Sequence, residues 1–250
     1  MEKNKLKEMV FAALFAALTA AVAWFKIPLP FTPVPITLQT LVVLMSGAML
    51  GSYYGALSMI IYLVLGAIGL PVFAGGSSGI GALLGPTGGY LFSYPIAAFV
   101  IGKMLERKNL NKFLKYFSLI VIWILVVMVL ADSVFRIGIM KLGKDVMVNI
   151  LTQQQRITLI VMSAAVLFGL LWLVVYIKKL KALSLDAILA MFAGTLIIYI
   201  MGSIQGKFVT DLPWSAIFVG WVLPFIIGDT LKLLLAAWIS NNFDVKKYMK

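Results

Sequence analysis

The chain has 250 residues, of which 62% are hydrophobic and only 12% charged, and its mean hydropathy is +1.05. So few charges cannot cover a soluble domain of this length, so the composition describes a polytopic membrane protein. The formal net charge of +12 sits mainly at the ends of apolar segments, where it meets lipid headgroups and argues against a nucleic-acid partner, and the lack of Cys and His excludes thiolate, zinc-type and imidazole chemistry.

Residues 9–25 form the first apolar run, too long for a signal peptide and read as a retained helix. It carries two stripes of small residues, Ala12, Ala16 and Ala20 beside Ala13, Ala17 and Ala21, a flat face for close packing within the chain or against another subunit. Residues 26–36 follow, with Pro28, Pro30, Pro33 and Pro35 in alternation, which predicts a stiff, extended outer loop. Residues 36–50 are short for a span, roughly 22 Å at 1.5 Å per residue. A tight turn at residues 51–55 sends the chain back through residues 56–70.

Residues 73–90, FAGGSSGIGALLGPTGGY, make a long Gly-rich stretch between apolar segments. Non-helical backbone at a membrane is tolerated only where protein buries it or where it lines a cavity, so the stretch is expected to roof a site. It lacks the Gly-Lys-Ser/Thr ending of a phosphate-binding loop. Its glycines suit close backbone approach to a compact polar molecule such as a cyclic urea or amide, with Tyr90 as a wall or hydrogen-bond partner.

Residues 90–105 form a fourth span that runs into Lys103, Arg107, Lys108, Lys112 and Lys115. Two more apolar runs, 116–139 and 157–177, are joined by a polar link; Asp132 and Arg136 near the outer end of the first read as an interface ion pair. Residues 185–203, which begin with Asp186 behind an N-cap Ser184, and residues 215–239 complete eight candidate spans. With both termini cytoplasmic, 14 Lys and Arg residues fall inside and six outside, which places both special loops on the exterior.

Asp229 and Lys232 lie far inside the last apolar run, three residues apart and therefore on one helical face. A charge there costs a few kcal/mol, so such residues face the bundle interior as a ligand or ion site, or neutralise each other between helices. Pro224 is expected to loosen the helix just before them. The nine acids show no close pair within a span, which disfavours a metal-dependent enzyme. A secondary transporter or channel for a small polar solute is the alternative, although no matched interruptions divide the chain into halves.

Four ordered motifs resemble the BioY family, the biotin-specific membrane subunits of energy-coupling factor (ECF) transporters: IPLPFTPVPITLQT from Ile27, GAIGLPVFAGG from Gly66, GPTGGY from Gly85, and LPF from Leu223 with Gly228-Asp229-x-x-Lys232. The resemblance implies an all-α membrane bundle without catalytic activity or a cofactor of its own. It implies high-affinity capture of biotin at the prokaryotic cytoplasmic membrane, with a coupling (T) subunit and two cytoplasmic ATPases as partners. By the family pattern, Phe31, Thr32, Gln39, Gly75, Gly76, Ser77, Ser78 and Tyr90 join Asp229 and Lys232 around biotin, and Ala12, Ala16 and Ala20 dock the coupling subunit. Asp229 suits the ureido N–H groups; Lys232 suits either the ureido oxygen or the valerate carboxylate. Family members typically have six spans, so the surplus here is a hairpin at residues 116–183. The chain then reads as one membrane domain: spans one to four in 1–115 with outer loops 26–36 and 71–89, the hairpin, and two last spans in 184–250.

Overall fold

The structure, a computed structural model, describes residues 2–30, 32–106 and 184–243 together with 245 and 248. The hairpin at 116–183, the basic run 107–115, Asp132, Arg136 and Phe31 lie outside the described residues. Among the described residues, five helices are long and apolar enough to cross a membrane: Asn4–Ala23, Gln39–Ala67, Gly88–Glu106, Leu185–Thr210 and Phe218–Asn242. They present apolar side chains outward as well as inward. Leu14, Val64, Phe99 and Ile200 are each roughly half exposed, the pattern of helices solvated by lipid.

Helix α1 (Glu2–Ala23) leads into a two-stranded antiparallel hairpin, β1 (Lys26–Leu29) and β2 (Thr32–Thr37), with Leu29 facing Thr32 across the turn. The extended backbone expected from the prolines is there. The sheet is a correction to the all-α reading, because a hairpin with no third strand among the described residues accepts prolines that a central strand would refuse. Pro28 falls at the register irregularity between Ile27 and Leu29, and Pro33 and Pro35, two apart, share one side of the ladder.

Helix α2 (Gln39–Ala67) is folded back on itself at Gly51, whose φ of 85° and ψ of −176° lie outside the helical region. Gln39 at one end donates through Nε2 to the Tyr62 hydroxyl 23 residues away, a separation of about 34 Å in a straight helix. A Cβ on Gly55 would lie 2.8 Å from the Ser46 carbonyl oxygen. The turn expected at 51–55 is thus present, and α2 contributes two antiparallel arms, 39–50 and 52–67. The carboxylate of Glu106 accepts from the Ser52 amide at 2.8 Å and from its hydroxyl at 2.9 Å, an acid at the start of the second arm where unpaired N–H groups favour negative charge.

After α2, a 3-10 turn (Ala74–Gly76) and a six-residue helix α3 (Gly79–Leu84) replace much of the expected loop, and α4 (Gly88–Glu106) begins on the next glycines. A side chain on Gly89 would meet the Met201 carbonyl oxygen at 2.2 Å, so α5 (Leu185–Thr210) packs directly on its backbone. Ser184 caps α5 by accepting from the Ala187 amide, as expected. The last segment starts as α6 (Trp214–Ile217), passes through a π-helical turn (Phe218–Val222) and a 3-10 turn (Leu223–Phe225), and resumes as α7 (Ile226–Asn242). Pro224 sits at the break, because it has no N–H to give to the ladder.

Three apolar clusters fill the bundle among the described residues, the smallest made of Phe15, Val42, Met49 and Leu50; the other two are larger. One gathers Val43, Tyr62, Phe73, Tyr90, Tyr94, Ile198, Trp221 and Phe225; the other gathers Leu44, Ile101, Ile188, Met191, Leu233 and Ala236 nearer the Gly51 end. Ala12 and Ala16 are buried within the chain, and Ala20 packs against the first core. This corrects the docking assignment: the stripe named for a partner is used internally, and Ala13, Ala17 and Ala21 form the exposed stripe.

Candidate functional site: a cavity over a buried ion pair

A cavity of about 310 Å³ lies between the hairpin, the segment after α2 and helices α2, α4, α5 and α7. That is the low end of the range for small-molecule pockets. Its polar base is Asp229 and Lys232 on the first turns of α7 with Thr40 on α2 and Tyr199 on α5; Gln39, Tyr90, Tyr94, Ile198, Leu91 and Phe225 continue the walls. Val34, Pro35 and Thr37 of β2, Phe73, Ala74 and Ser77, Gly81 and Ala82 of α3, and Gly85, Pro86 and Thr87 close the other end.

The base is a connected network. Lys232 Nζ donates to Asp229 Oδ1 at 2.8 Å and reaches Thr40 Oγ1 at 3.3 Å; the Thr40 hydroxyl donates to the same Oδ1 at 3.2 Å. Tyr199 donates to Asp229 Oδ2 at 2.8 Å. Both charged side chains are nearly buried, 8% exposed for Asp229 and 11% for Lys232. A buried pair holds only when additional hydrogen bonds satisfy its remaining groups, and Tyr199 and Thr40 provide them. Asp229 also stands in the first turn of α7, where the amides after the Pro224 break favour an anion.

A second chain of hydrogen bonds ties wall to roof. The Tyr62 hydroxyl donates to the Val72 carbonyl at 3.0 Å and accepts from Gln39 Nε2, while Thr37 donates to Gln39 Oε1 at 3.0 Å. Because Val72 can only accept, the single hydroxyl proton of Tyr62 is committed, and Gln39 must approach it with its amide nitrogen. Gln205 of α5 donates to the carbonyls of Leu83 and Gly85 at 2.7 and 2.8 Å, holding the end of α3 in place. The Tyr90 hydroxyl donates to the Trp221 carbonyl within the π turn, and Trp221 Nε1 donates to the Pro86 carbonyl at 3.4 Å.

Of the residues singled out in the sequence, Asp229, Lys232, Gln39, Tyr90 and Ser77 line the cavity. Tyr90 serves as a wall whose proton is already used. Gly75 and Gly76 form the 3-10 turn beside Ala74, and Ser78 stands at the N-cap of α3. Thr32 opens β2, its hydroxyl accepting from the Val34 amide at 3.2 Å. Sequence reasoning missed Thr40, Tyr94 and Tyr199. The one available signal was a tyrosine in the apolar run 185–203, since a buried phenol needs a hydrogen-bond partner.

Apolar helices that bury the Asp229–Lys232 ion pair beneath a hairpin and turns define a multi-pass membrane protein with a cavity over a polar base. The chain belongs to the BioY family, which matches it over residues 1–167 and 161–248. It is 46% identical over 121 residues to a probable biotin transporter BioY of Pyrococcus horikoshii, covering 48% of this chain and 72% of that protein. It is 47% identical over 104 residues to the biotin transporter BioY of Thermotoga maritima (42% of this chain, 60% of that one) and 50% identical over 107 residues to that of Rhodobacter capsulatus (43% and 54%). The latter two matches thus span little more than half of the relatives' length. The crystal structure of the S-component for biotin from an ECF-type ABC transporter superposes with a TM-score of 0.61 at 23% identity, covering 100% of this chain and 99% of that one, a likeness of fold.

Proposed function

We propose that this chain captures biotin from the exterior as the membrane-embedded S subunit of an ATP-driven ECF transporter. The observation that carries the reading is the buried Asp229–Lys232 pair at the base of the cavity. Asp229 Oδ1 already takes Lys232 and Thr40, and Oδ2 takes Tyr199, which leaves one acceptor position on Oδ2. Lys232 Nζ makes two hydrogen bonds and keeps a third N–H. One acceptor beside one donor matches the N–H and C=O edge of a ureido ring, and a Lys232 already neutralised by Asp229 suits the uncharged ureido oxygen better than a carboxylate.

In this reading Gln39, Ser77 and Tyr90 contact the ligand, Gly75, Gly76, Ser78 and Thr32 shape the roof around it, and the chain performs no catalysis. Both termini are cytoplasmic, and the six described apolar arms form the core. A coupling subunit and two cytoplasmic ATPases complete the transporter, with Ala13, Ala17 and Ala21 left available for docking. Isothermal titration of the purified chain with biotin tests the assignment: wild type binds, and Asp229→Asn and Lys232→Met each weaken binding by about a hundredfold, in line with the loss of a buried charged partner. Wild-type silence at micromolar biotin ends it. Uptake by the chain alone in ATP-free liposomes under an ion gradient would instead establish a secondary transporter.

A further inference from the structure

Lys26, the first residue of β1, has no role in the network described above. Two independent placements put it at the outer edge of the cavity. Its register partner in the hairpin is Thr37, which lines the cavity. Its side chain lies across Gly75, where an added Cβ would meet Lys26 Cε at 2.2 Å and Nζ at 2.3 Å. Gly75 directly follows Ala74 and lies two residues before Ser77, both lining residues. The ammonium therefore sits where the hairpin meets the segment after α2, on the exposed side of the roof.

The charge inside the cavity makes this position informative. Lys232 is neutralised by Asp229 at 2.8 Å, and the other lining side chains carry no charge, so the interior offers an anion no uncompensated cation. Among the described residues no carboxylate pairs with Lys26. A ligand whose ureido ring rests on Asp229 directs its carboxylate tail away from the base and toward the roof.

We infer that Lys26 reads the carboxylate end of the ligand at the cavity mouth and so favours the acid over its neutral amide. The inference rests on the assignment of Asp229 and Lys232 to the ureido ring. The aliphatic stem of Lys26 also covers Gly75, and a purely packing role would affect charged and neutral ligands alike.

Titration of the full-length purified chain with biotin and with biotinamide separates these roles. Wild type should bind the acid about three- to fivefold more tightly than the amide, the size expected of a solvent-exposed ion pair, and the preference should shrink as salt is raised. Lys26→Gln should abolish the preference while leaving amide affinity unchanged, and Lys26→Arg should keep it. Equal weakening of both ligands in Lys26→Gln, or an unchanged acid-to-amide ratio, overturns the inference. Wild type that binds neither ligand overturns the site assignment itself, and a wild type that binds both equally overturns only the role of Lys26.

Discussion

Asp229 accepts from Lys232, Thr40 and Tyr199, contributions from three different helices, so its position depends on all of them. Removing Tyr199's hydroxyl by Tyr199→Phe deletes a hydrogen bond to a charged acceptor, worth about 1.5–3 kcal/mol, and should raise the dissociation constant for biotin at least about tenfold by titration. Removing the cation alone is worse for the fold than removing both charges. Lys232→Met leaves a carboxylate buried without its counter-charge, a cost of about 3–5 kcal/mol, whereas Asp229→Asn combined with Lys232→Met leaves no uncompensated charge. The single variant should therefore melt below the double variant in detergent, and the reverse order would show that the pair is not electrostatically coupled. The acid and the amine were legible in the sequence because three-residue spacing fixes them on one face. Thr40 and Tyr199 were not, since they stand 189 and 30 residues from Asp229 and only the packing of α2 and α5 against α7 brings them there.

The fold-back of α2 shows how one residue decides an element. At φ 85° and ψ −176°, Gly51 occupies a region essentially closed to residues with a side chain, and an added Cβ would lie 2.9 Å from Glu106 Oε1. Gly51→Ala should cost about 1–3 kcal/mol, read as a lower melting temperature of the purified chain, while biotin affinity changes little because the cavity lies at the other end of both arms. A fall in affinity with no fall in melting temperature would contradict that separation. The sequence showed this turn through two glycines bracketing Ser52, Tyr53 and Tyr54 between apolar runs. It did not show the pairing of β1 with β2, because alternating prolines ordinarily argue against a ladder and an isolated two-strand hairpin escapes that rule. Nor did it show α3, since Ile80, Ala82, Leu83 and Leu84 are diluted by glycines whose helical state depends on what holds the ends, here Gln205 on the Leu83 and Gly85 carbonyls.

At the scale of the whole molecule, the roof and the Gly51 turn mark opposite ends of the bundle, and the question is which end meets the exterior. The hairpin, the 3-10 turn and α3 gather at one end around the cavity mouth, while Glu106 closes on Ser52 at the other. The second end receives Lys103 and continues in sequence into Arg107, Lys108, Lys112 and Lys115, and α1 begins with Lys3, Lys5 and Lys7. Basic residues near span ends are retained on the cytoplasmic side, so the cavity mouth should face out and Tyr53, beside Gly51, should face in. The chain has no cysteine, so a single introduced one is the sole thiol and reports its own side. Ile80 and Tyr53 are both well exposed, 65% and 68%, so either replacement leaves the cores intact. In whole cells a membrane-impermeant maleimide should label Ile80→Cys directly and Tyr53→Cys only after permeabilisation. Occupancy adds a second expectation: because Ile80 adjoins Gly81 in the cavity wall, saturating biotin should slow labelling of Ile80→Cys and leave Tyr53→Cys unaffected. Labelling in the opposite order would turn the mouth toward the cytoplasm, and a chamber that opens only inward in its ligand-binding state cannot be the capturing end of an importer.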